Sequence, residues 1–346
     1  MEFWGLHLLK TEQTGAPFIS VLVAVHDRKQ YIKGAVDSVF AQTLDPAAYE
    51  VVVVANFAVA EELTPRPNMV CIQTAEKEHE GKIAVGVENC RGEVICFLDD
   101  DDTWESTKLQ AVHDLFGRNV ELCYYHNGFR MIDELGRPVQ QATLRILQRR
   151  MHRVRRMETD RRKASFGVIR KMIKIGVNFN MSCITIRKHV VLSFIEHLRG
   201  LNGKSSNVDT FMLYAALLSG GKLFADDREL TLYRIHGRNT SATFISAGTH
   251  PEELGYRTLL EMAGTSKGNA QIRRSIECMV SDIMFELYSK EKVRDRKRMA
   301  REIINHMRYF SFYDMQYDVL LSLFGILYLI SPALGEIMHS IPGEHL

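Results

Sequence analysis

The stretch from Asp99 to Asp102 places four carboxylates in a row, directly after an apolar run from Val94 to Leu98. Like charges this close repel one another, so a folded chain keeps them together beside a cation or at a solvated exit. Hard divalent cations such as Mg²⁺ and Mn²⁺ take oxygen ligands and commonly link one or two carboxylates to a substrate phosphate. The four aspartates therefore indicate either a metal site or a strand that ends in a solvated acidic turn.

A single aspartate, Asp209, heads an apolar segment that ends at Leu218 and is predicted to be a helix. An aspartate at a helix start usually caps the helix, because its carboxylate accepts hydrogen bonds from free backbone N–H groups. From the residues alone, capping is the simpler interpretation. It is compatible with a second role as a proton acceptor.

The elements before the acidic run alternate between strand and helix. Apolar runs predict strands at Phe18–Val25, Tyr49–Val54 and Glu93–Leu98, and helical spacing predicts helices at Tyr31–Phe40 and Lys82–Cys90. This alternation predicts an α/β fold, with a mostly parallel central sheet flanked by helices. Because ligands bind beyond the carboxyl ends of parallel strands, we expect the residues that follow the three strands to meet at one edge of the sheet.

The composition is that of an ordinary globular protein. Of 346 residues, 46% are hydrophobic and 25% are charged, and the net charge is +2. Six cysteines lack CxxC spacing and several lie in apolar runs, so we expect buried free thiols in a reducing compartment. The first fifteen residues lack the pattern of a signal peptide, which predicts a cytoplasmic protein.

A basic segment, residues 143–174, interrupts this pattern. From Arg145 to Lys174 it holds twelve Lys or Arg and two Asp or Glu. Its apolar residues recur every three or four positions and predict a basic amphipathic helix that either lies on an anionic membrane or packs on the protein body. No recognised nucleic-acid module accompanies the charges, so we expect no nucleic-acid partner. The apolar residues are Leu144, Leu147, Met151, Val154 and Met157.

The region after His250 is predicted to be mainly helical. One face carries Ile272, Ile276, Met279, Ile283 and Leu287. We therefore predict a first domain at residues 1–245 and a helical region at 246–346. The uncharged stretch 319–334 has sixteen residues, fewer than the roughly twenty that cross a bilayer, and is predicted to be a core or interfacial helix.

Four blocks of the sequence resemble the inverting glycosyltransferases of family 2, which have the GT-A fold. They are Ser20–Thr43 (SVLVAVHDRKQYIKGAVDSVFAQT), Gly92–Leu109 (GEVICFLDDDDTWESTKL), Val208–Asp209 and Leu232–Ser241 (LYRIHGRNTS). The blocks come in the family's order and extend the resemblance from about Ile19 to Ser241. The resemblance implies a Rossmann-like GT-A domain.

The resemblance also implies a metal site in the acidic run. Asp101, helped by Asp99, would bind Mg²⁺ or Mn²⁺, and His236 is a further candidate for contact with the metal or the diphosphate. Asp100 would face the ribose of the donor. Asp102 is left as a solvated or capping carboxylate.

A second set of residues would bind the nucleotide. The end of the first strand would contact the base and ribose, Lys82 would reach a phosphate unless it is a solvated lysine at a helix start, and Arg234 would add positive charge. Asn56 stands where family members commonly carry a carboxylate that reads the base, and this change argues against UDP and leaves GDP or dTDP open. The full set is Ala24, Val25, His26, Asp27, Asn56, Lys82, Asp100 and Arg234.

The activity implied by the resemblance is transfer of a sugar from a nucleotide-sugar donor to an acceptor hydroxyl, with inversion. Asp209 would be the general base that takes the hydroxyl proton. The family often works on lipid-linked or cell-envelope glycans, which predicts such an acceptor and a peripheral position on the inner face of the cell membrane. Two alternatives are a nucleotidyltransferase, which would need glycines in the HDRKQ loop after the first strand, and a non-catalytic nucleotide-sugar-binding module.

Overall fold

The computed structural model describes residues 15–26, 29–59, 61–142, 154–201, 208–237, 252–265 and 270–279, together with residues 304 and 326. Within these ranges the chain forms a nine-stranded sheet with helices on both faces. The strand order is β3-β2-β1-β4-β8-β6-β9-β5, and β7 pairs with β9. The α/β class predicted from the sequence is confirmed.

The first four strands form a parallel half-sheet, as predicted. Ala24 of β1 lies opposite Val54 of β2 and Asp99 of β4, so the carboxyl ends of these strands line up at one edge. The predicted meeting of the three strand ends is therefore confirmed. The elements of this half are β1 (Ile19–Ala24), α1 (Lys29–Phe40), a 3₁₀ turn (Pro46–Ala48), β2 (Tyr49–Ala55), β3 (Met69–Gln73), α2 (His79–Asn89) and β4 (Val94–Asp99).

The second half of the sheet is mixed. Strand β8 lies antiparallel between β4 and β6, whereas β9 runs parallel to β6 and antiparallel to β5 and β7. The structure has one long strand, β9, whose register against β6 shifts between Ala225 and Glu229. The elements are β5 (Thr103–Trp104), α3 (Lys108–Arg118), β6 (Leu122–Ile132), β7 (Met157–Thr159), α4 (Phe166–Lys174), a 3₁₀ turn (Met181–Cys183), β8 (Ile184–Arg187), α5 (Lys188–Leu192), α6 (Ile195–Leu201), α7 (Val208–Ser219), β9 (Lys222–Arg234) and α8 (Glu252–Thr265).

Two hydrophobic layers cover the sheet. Successive side chains of a strand point to opposite faces, and β1 shows this directly. Val21 and Val23 pack with α1 and α3, whereas Leu22 and Ala24 pack with α2, α4 and α7. Burial on both faces explains why β1 is a continuous apolar run rather than an alternating one.

The basic segment differs from its prediction. Residues 143–153 lie outside the described residues. Met157 belongs to the strand β7, where it pairs with Ala225 of β9, so the prediction of a helix that includes Met157 is wrong. Pairing with an open strand edge outweighs the helical spacing there. Further along, α4 is amphipathic and buries Phe166, Ile169 and Met172 in the core.

The described part of the C-terminal region packs on the first domain. Helix α8 contacts α6 and α7, and the helical residues 270–279 bury Ile272 and Ile276 in the same core, with Met279 packed against it. Ile283, Leu287 and the stretch 319–334, except Ile326, lie outside the described residues. The boundary after residue 245 stays a prediction. Among the described helices, none has the length and apolar composition that a membrane span requires.

Candidate active site

The acidic turn extends from the end of β4 to the start of β5. Asp99 is partly exposed, whereas Asp100, Asp101 and Asp102 are buried. The turn closes with a hydrogen bond from the backbone N–H of Asp102 to the carbonyl of Asp99 (3.2 Å). Three of the four carboxylates therefore belong to the protein interior. The prediction of a solvated Asp102 is wrong.

Asp101 and His236 form a buried pair. The Asp101 Oδ2 atom lies 2.9 Å from Nε2 of His236, although 135 residues separate them in the chain. The ring of Tyr31 packs 5.0 Å from the His236 ring, between ring centroids, and fixes its orientation. Two of the three predicted metal ligands are thus adjacent.

Asp99, the third predicted ligand, faces the start of α2. Its Oδ1 atom is 3.8 Å from Nε2 of His79, whose ring stacks on that of His26 at 5.0 Å. His79 was not predicted, because a lone histidine at the start of a helix carries no distinctive pattern. Within the described residues, no three His, Cys, Asp or Glu side chains are arranged to hold a metal ion by themselves.

The carboxylate of Asp102 is buried and is hydrogen-bonded by uncharged donor groups. Its carboxylate accepts hydrogen bonds from the backbone N–H of Arg234 (2.9 Å) and from Nδ2 of Asn180 (3.0 Å). Burial, and to a smaller extent the charge of Asp101, raise the pKa of Asp102 to about 7, although these hydrogen bonds lower it. Asp102 therefore helps to hold the acidic turn in place from inside the protein.

The Arg234 side chain also holds the acidic turn. Its Nε donates to the backbone carbonyl of Asp101 (2.7 Å), and Nη1 donates to the carbonyls of Asp133 and Glu134 (3.1 and 3.0 Å). The guanidinium carbon lies 5.0 Å from the centre of the Tyr31 ring. These contacts tie the acidic turn to the turn at residues 133–136. The role of Arg234 toward a nucleotide stays a prediction.

The predicted nucleotide-binding residues surround the ends of β1 and β2. The backbone N–H of His26 donates to Asp100 Oδ2 (2.6 Å), and the buried Lys82 donates from Nζ to the carbonyl of Val25 (2.8 Å). Ala24 is the last residue of β1, and Asp27 lies outside the described residues. Lys82 thus stabilises the end of β1, and its contact with a phosphate stays a prediction.

Asn56 follows β2 at the same edge. Its Oδ1 atom is buried and has no hydrogen-bond partner among the described residues. A buried amide oxygen without a partner is unfavourable, so this position favours a ligand that donates a hydrogen bond.

Asp209 lies in the first turn of α7. Its Oδ1 accepts from the backbone N–H of Thr210 (2.9 Å), and its Oδ2 accepts from the backbone N–H of Asn180 (3.2 Å). Burial raises the pKa of Asp209 to about 6, more than these hydrogen bonds lower it. Because Asn180 also contacts Asp102, the structure places the predicted base beside the acidic turn.

An α/β domain whose parallel strands end at an acidic turn, with a second carboxylate beside it, fits the GT-A domain that the sequence resemblance implies. The sequence profile of Glycosyl transferase family 2 matches residues 20–176. The match covers a little under half of the chain, and it confirms the predicted resemblance to this family over those residues.

Three known proteins illustrate the similarity. Glycosyltransferase AglE of Haloferax volcanii is 29% identical over an alignment of 130 residues, and the match covers 32% of this chain. S. aureus TarS 1-349, in complex with UDP-GlcNAc, superposes with a TM-score of 0.59 at 14% identity and covers 92% of this chain and 89% of its own. Mannosyltransferase PcManGT from Pyrobaculum calidifontis, in complex with GDP-Man and Mn²⁺, superposes with a TM-score of 0.50 at 12% sequence identity. The superposition covers 94% of this chain and 87% of PcManGT.

The structural matches cover most of the chain, whereas the sequence matches cover about a third of it. The two structures confirm the GT-A fold. The chain spans 42% of AglE and 34% of a Bacillus subtilis relative, less than half the length of either curated protein.

Proposed function

We propose that the chain is an inverting glycosyltransferase, which moves a sugar from a nucleotide donor to an acceptor hydroxyl with a divalent metal. The observation that carries the proposal is that the candidate metal ligands and the candidate general base lie at the same acidic turn. The Asp101–His236 pair lies on the acidic turn, and Asp209 is joined to the same turn through Asn180. The match of residues 20–176 to the model of family 2 supports the same activity.

The buried pair fits a metal ion by the chemistry of its donors. A carboxylate oxygen and an imidazole nitrogen, both ligands that divalent ions accept, lie 2.9 Å apart. Mg²⁺ and Mn²⁺ commonly combine one or two protein ligands with substrate phosphates. Asp101 and His236, with Asp99 nearby, would hold the ion. When bound, it would neutralise the charge that develops on the departing diphosphate.

Asp209 would act on the acceptor. Inversion needs a base on the face of the sugar opposite the leaving group, and a carboxylate with a pKa of about 6 is mostly ionised at neutral pH yet basic enough to take a proton as the bond forms. Its two N–H donors orient the carboxylate and leave further lone pairs for the acceptor hydroxyl.

Asn56 and Asp100 would hold the donor nucleotide. Asn56 offers an amide where family members commonly carry a carboxylate, which argues against UDP and leaves GDP or dTDP open. Asp100 is already oriented by the N–H of His26 and would face the ribose. The bound donors of the two structural neighbours differ, UDP-GlcNAc in TarS and GDP-Man in PcManGT, so the fold accepts either nucleotide.

We further propose that the acceptor is glycan or lipid-linked and that the protein contacts the inner face of a membrane. Exposed basic side chains around α4 would attract anionic lipids. Full-length protein should sediment with vesicles that contain phosphatidylglycerol, and the double variant R161E/R162E should bind them at least about fivefold more weakly. Equal binding to neutral phosphatidylcholine vesicles would contradict this placement. The exposed residues are Arg155, Arg156, Arg161, Arg162, Lys163, Lys171 and Lys174.

The enzyme proposal is tested by release of nucleoside diphosphate. Purified protein is incubated with UDP-, GDP- and dTDP-sugars, with Mn²⁺, with Mg²⁺ and with EDTA, while a parallel thermal-shift screen detects binding. We expect one nucleotide to raise the melting temperature and its sugar to be hydrolysed only with metal. Metal-dependent binding without turnover would favour the non-catalytic binding module, and the absence of both would refute the proposal.

A further inference from the structure

A short loop, residues 178–182, connects the acidic turn to the start of α7. On one side, Nδ2 of Asn180 donates to Asp102 Oδ2 (3.0 Å), and Oγ of Ser182 accepts from the backbone N–H of Asp99 (2.9 Å). On the other side, the backbone N–H of Asn180 donates to Asp209 Oδ2 (3.2 Å). Asn180 thus contacts a carboxylate of the acidic turn and the carboxylate of the proposed base at the same time.

The backbone of Asn180 is in an uncommon conformation. Its φ is +65°, and among the described residues it is the one non-glycine residue with a positive φ. Asparagine tolerates this region better than most residues, because its short side chain hydrogen-bonds to nearby backbone. Here Oδ1 accepts from the N–H of Ser182 (2.7 Å), which leaves Nδ2 directed at Asp102.

The loop is anchored to the sheet from below. The carbonyl of Ser182 accepts hydrogen bonds from Nε1 of Trp104 (3.0 Å), from Oγ1 of Thr231 (2.9 Å) and from the buried Nζ of Lys108. Three buried donors on one carbonyl fix the loop relative to β5 and β9. The position of Asn180 is therefore set by the core.

We propose that Asn180 is a positioning residue, which holds the Asp209 carboxylate in register with the acidic turn. This inference rests on the proposed function, because it assigns Asn180 a role in that reaction. Direct displacement needs the base, the acceptor and the leaving group in line, and a misplacement of about 1 Å can lower the rate by roughly a hundredfold. A neutral amide suits this position, since it donates to one carboxylate without adding charge.

The variant Asn180→Gly separates the role of the side chain from that of the backbone. Glycine accepts a positive φ and keeps the N–H that donates to Asp209, but it removes the amide that contacts Asp102. We expect kcat for donor hydrolysis to fall by about tenfold to a hundredfold. The affinity for the donor nucleotide with Mn²⁺, measured by calorimetry, should stay within about threefold of wild type, because the nucleotide-binding residues are untouched.

Asn178→Ala is the matched control. Asn178 lies in the same loop and donates to Oγ1 of Thr210 (2.8 Å), not to either carboxylate. We expect its kcat to stay within about threefold of wild type.

The outcomes separate the two claims. If wild-type protein hydrolyses no donor, the proposed function fails. If wild type is active and Asn180→Gly keeps its kcat, or loses kcat and nucleotide affinity together with its folded state, the role of Asn180 is refuted while the function stands.

Discussion

The substitution Asp209→Asn should change both catalysis and stability, each with a defined pH dependence. In the unfolded chain this carboxyl titrates near 3.8, and in the folded protein burial raises its pKa to about 6. The folded protein therefore binds the proton more tightly than the unfolded chain. Deprotonation destabilises the fold increasingly as the pH rises from 3.8 to 6, and the cost is full above pH 6.

The size of this cost follows from the two pKa values. A difference of about two pH units corresponds to at most about 3 kcal/mol at 1.36 kcal/mol per unit, and partial exposure of Asp209 lowers it. Asparagine carries no charge but accepts only one of the two N–H bonds well, which costs about 1 kcal/mol. We therefore expect D209N to be about 1–2 kcal/mol more stable than wild type at pH 8. The advantage should shrink by about 1.4 kcal/mol at pH 5.

Urea unfolding of both proteins at pH 5, 6, 7 and 8 measures this difference, and Asp227→Asn, at an exposed carboxylate, is the control. In the same series, the kcat/KM of wild type should fall about tenfold from its plateau by pH 5, and D209N should lose at least about a thousandfold of activity. A stability difference that does not change with pH would refute the raised pKa of Asp209. An active D209N would refute its role as the base.

Three further outcomes test other parts of the structure. Asp101→Asn should raise the Mn²⁺ concentration for half-maximal activity at least about tenfold, and an unchanged metal dependence would exclude Asp101 as a ligand. Asn56→Asp should change the ranking of UDP, GDP and dTDP in the thermal-shift screen, because it replaces an amide that donates and accepts with a carboxylate that only accepts; an unchanged ranking would place the base elsewhere. Gly92→Ala should destabilise the fold by about 1–3 kcal/mol, because the added Cβ would lie 2.5 Å from the backbone nitrogen of Ser20. The control Gly34→Ala, which has open space around it in α1, should stabilise the fold by about 0.5–1 kcal/mol. Equal effects of the two variants in urea unfolding would contradict the close approach at Gly92.

The parallel half of the sheet could be predicted because its signals are local. Apolar runs such as Val51–Val54 and helical spacing in α1 are readable within a few residues, and the alignment of strand ends follows from parallel pairing. Strand β6 has no such pattern, since its polar residues His126 and Asn127 are as buried as its apolar ones. Its partners β8 and β9 are distant in sequence, and their contacts are what make it a strand.

The candidate site could be predicted only in part. The adjacency of Asp101 and His236 followed from the motif resemblance, not from periodicity. The four aspartates look equivalent in sequence, whereas the turn between β4 and β5 directs Asp102 beneath the backbone of Arg234. Asn180 carried no signal at all, because its role depends on its backbone conformation and on two carboxylates far away in the chain.

The configuration of the released sugar tests the central claim most directly. The preferred donor is hydrolysed with Mn²⁺ in a proton NMR tube, and the anomeric signal is recorded before the free sugar equilibrates. Direct displacement predicts that the first sugar formed has the anomeric configuration opposite to that of the donor, and that D209N forms none above background. Release with retained configuration, or equal release by D209N, would contradict it.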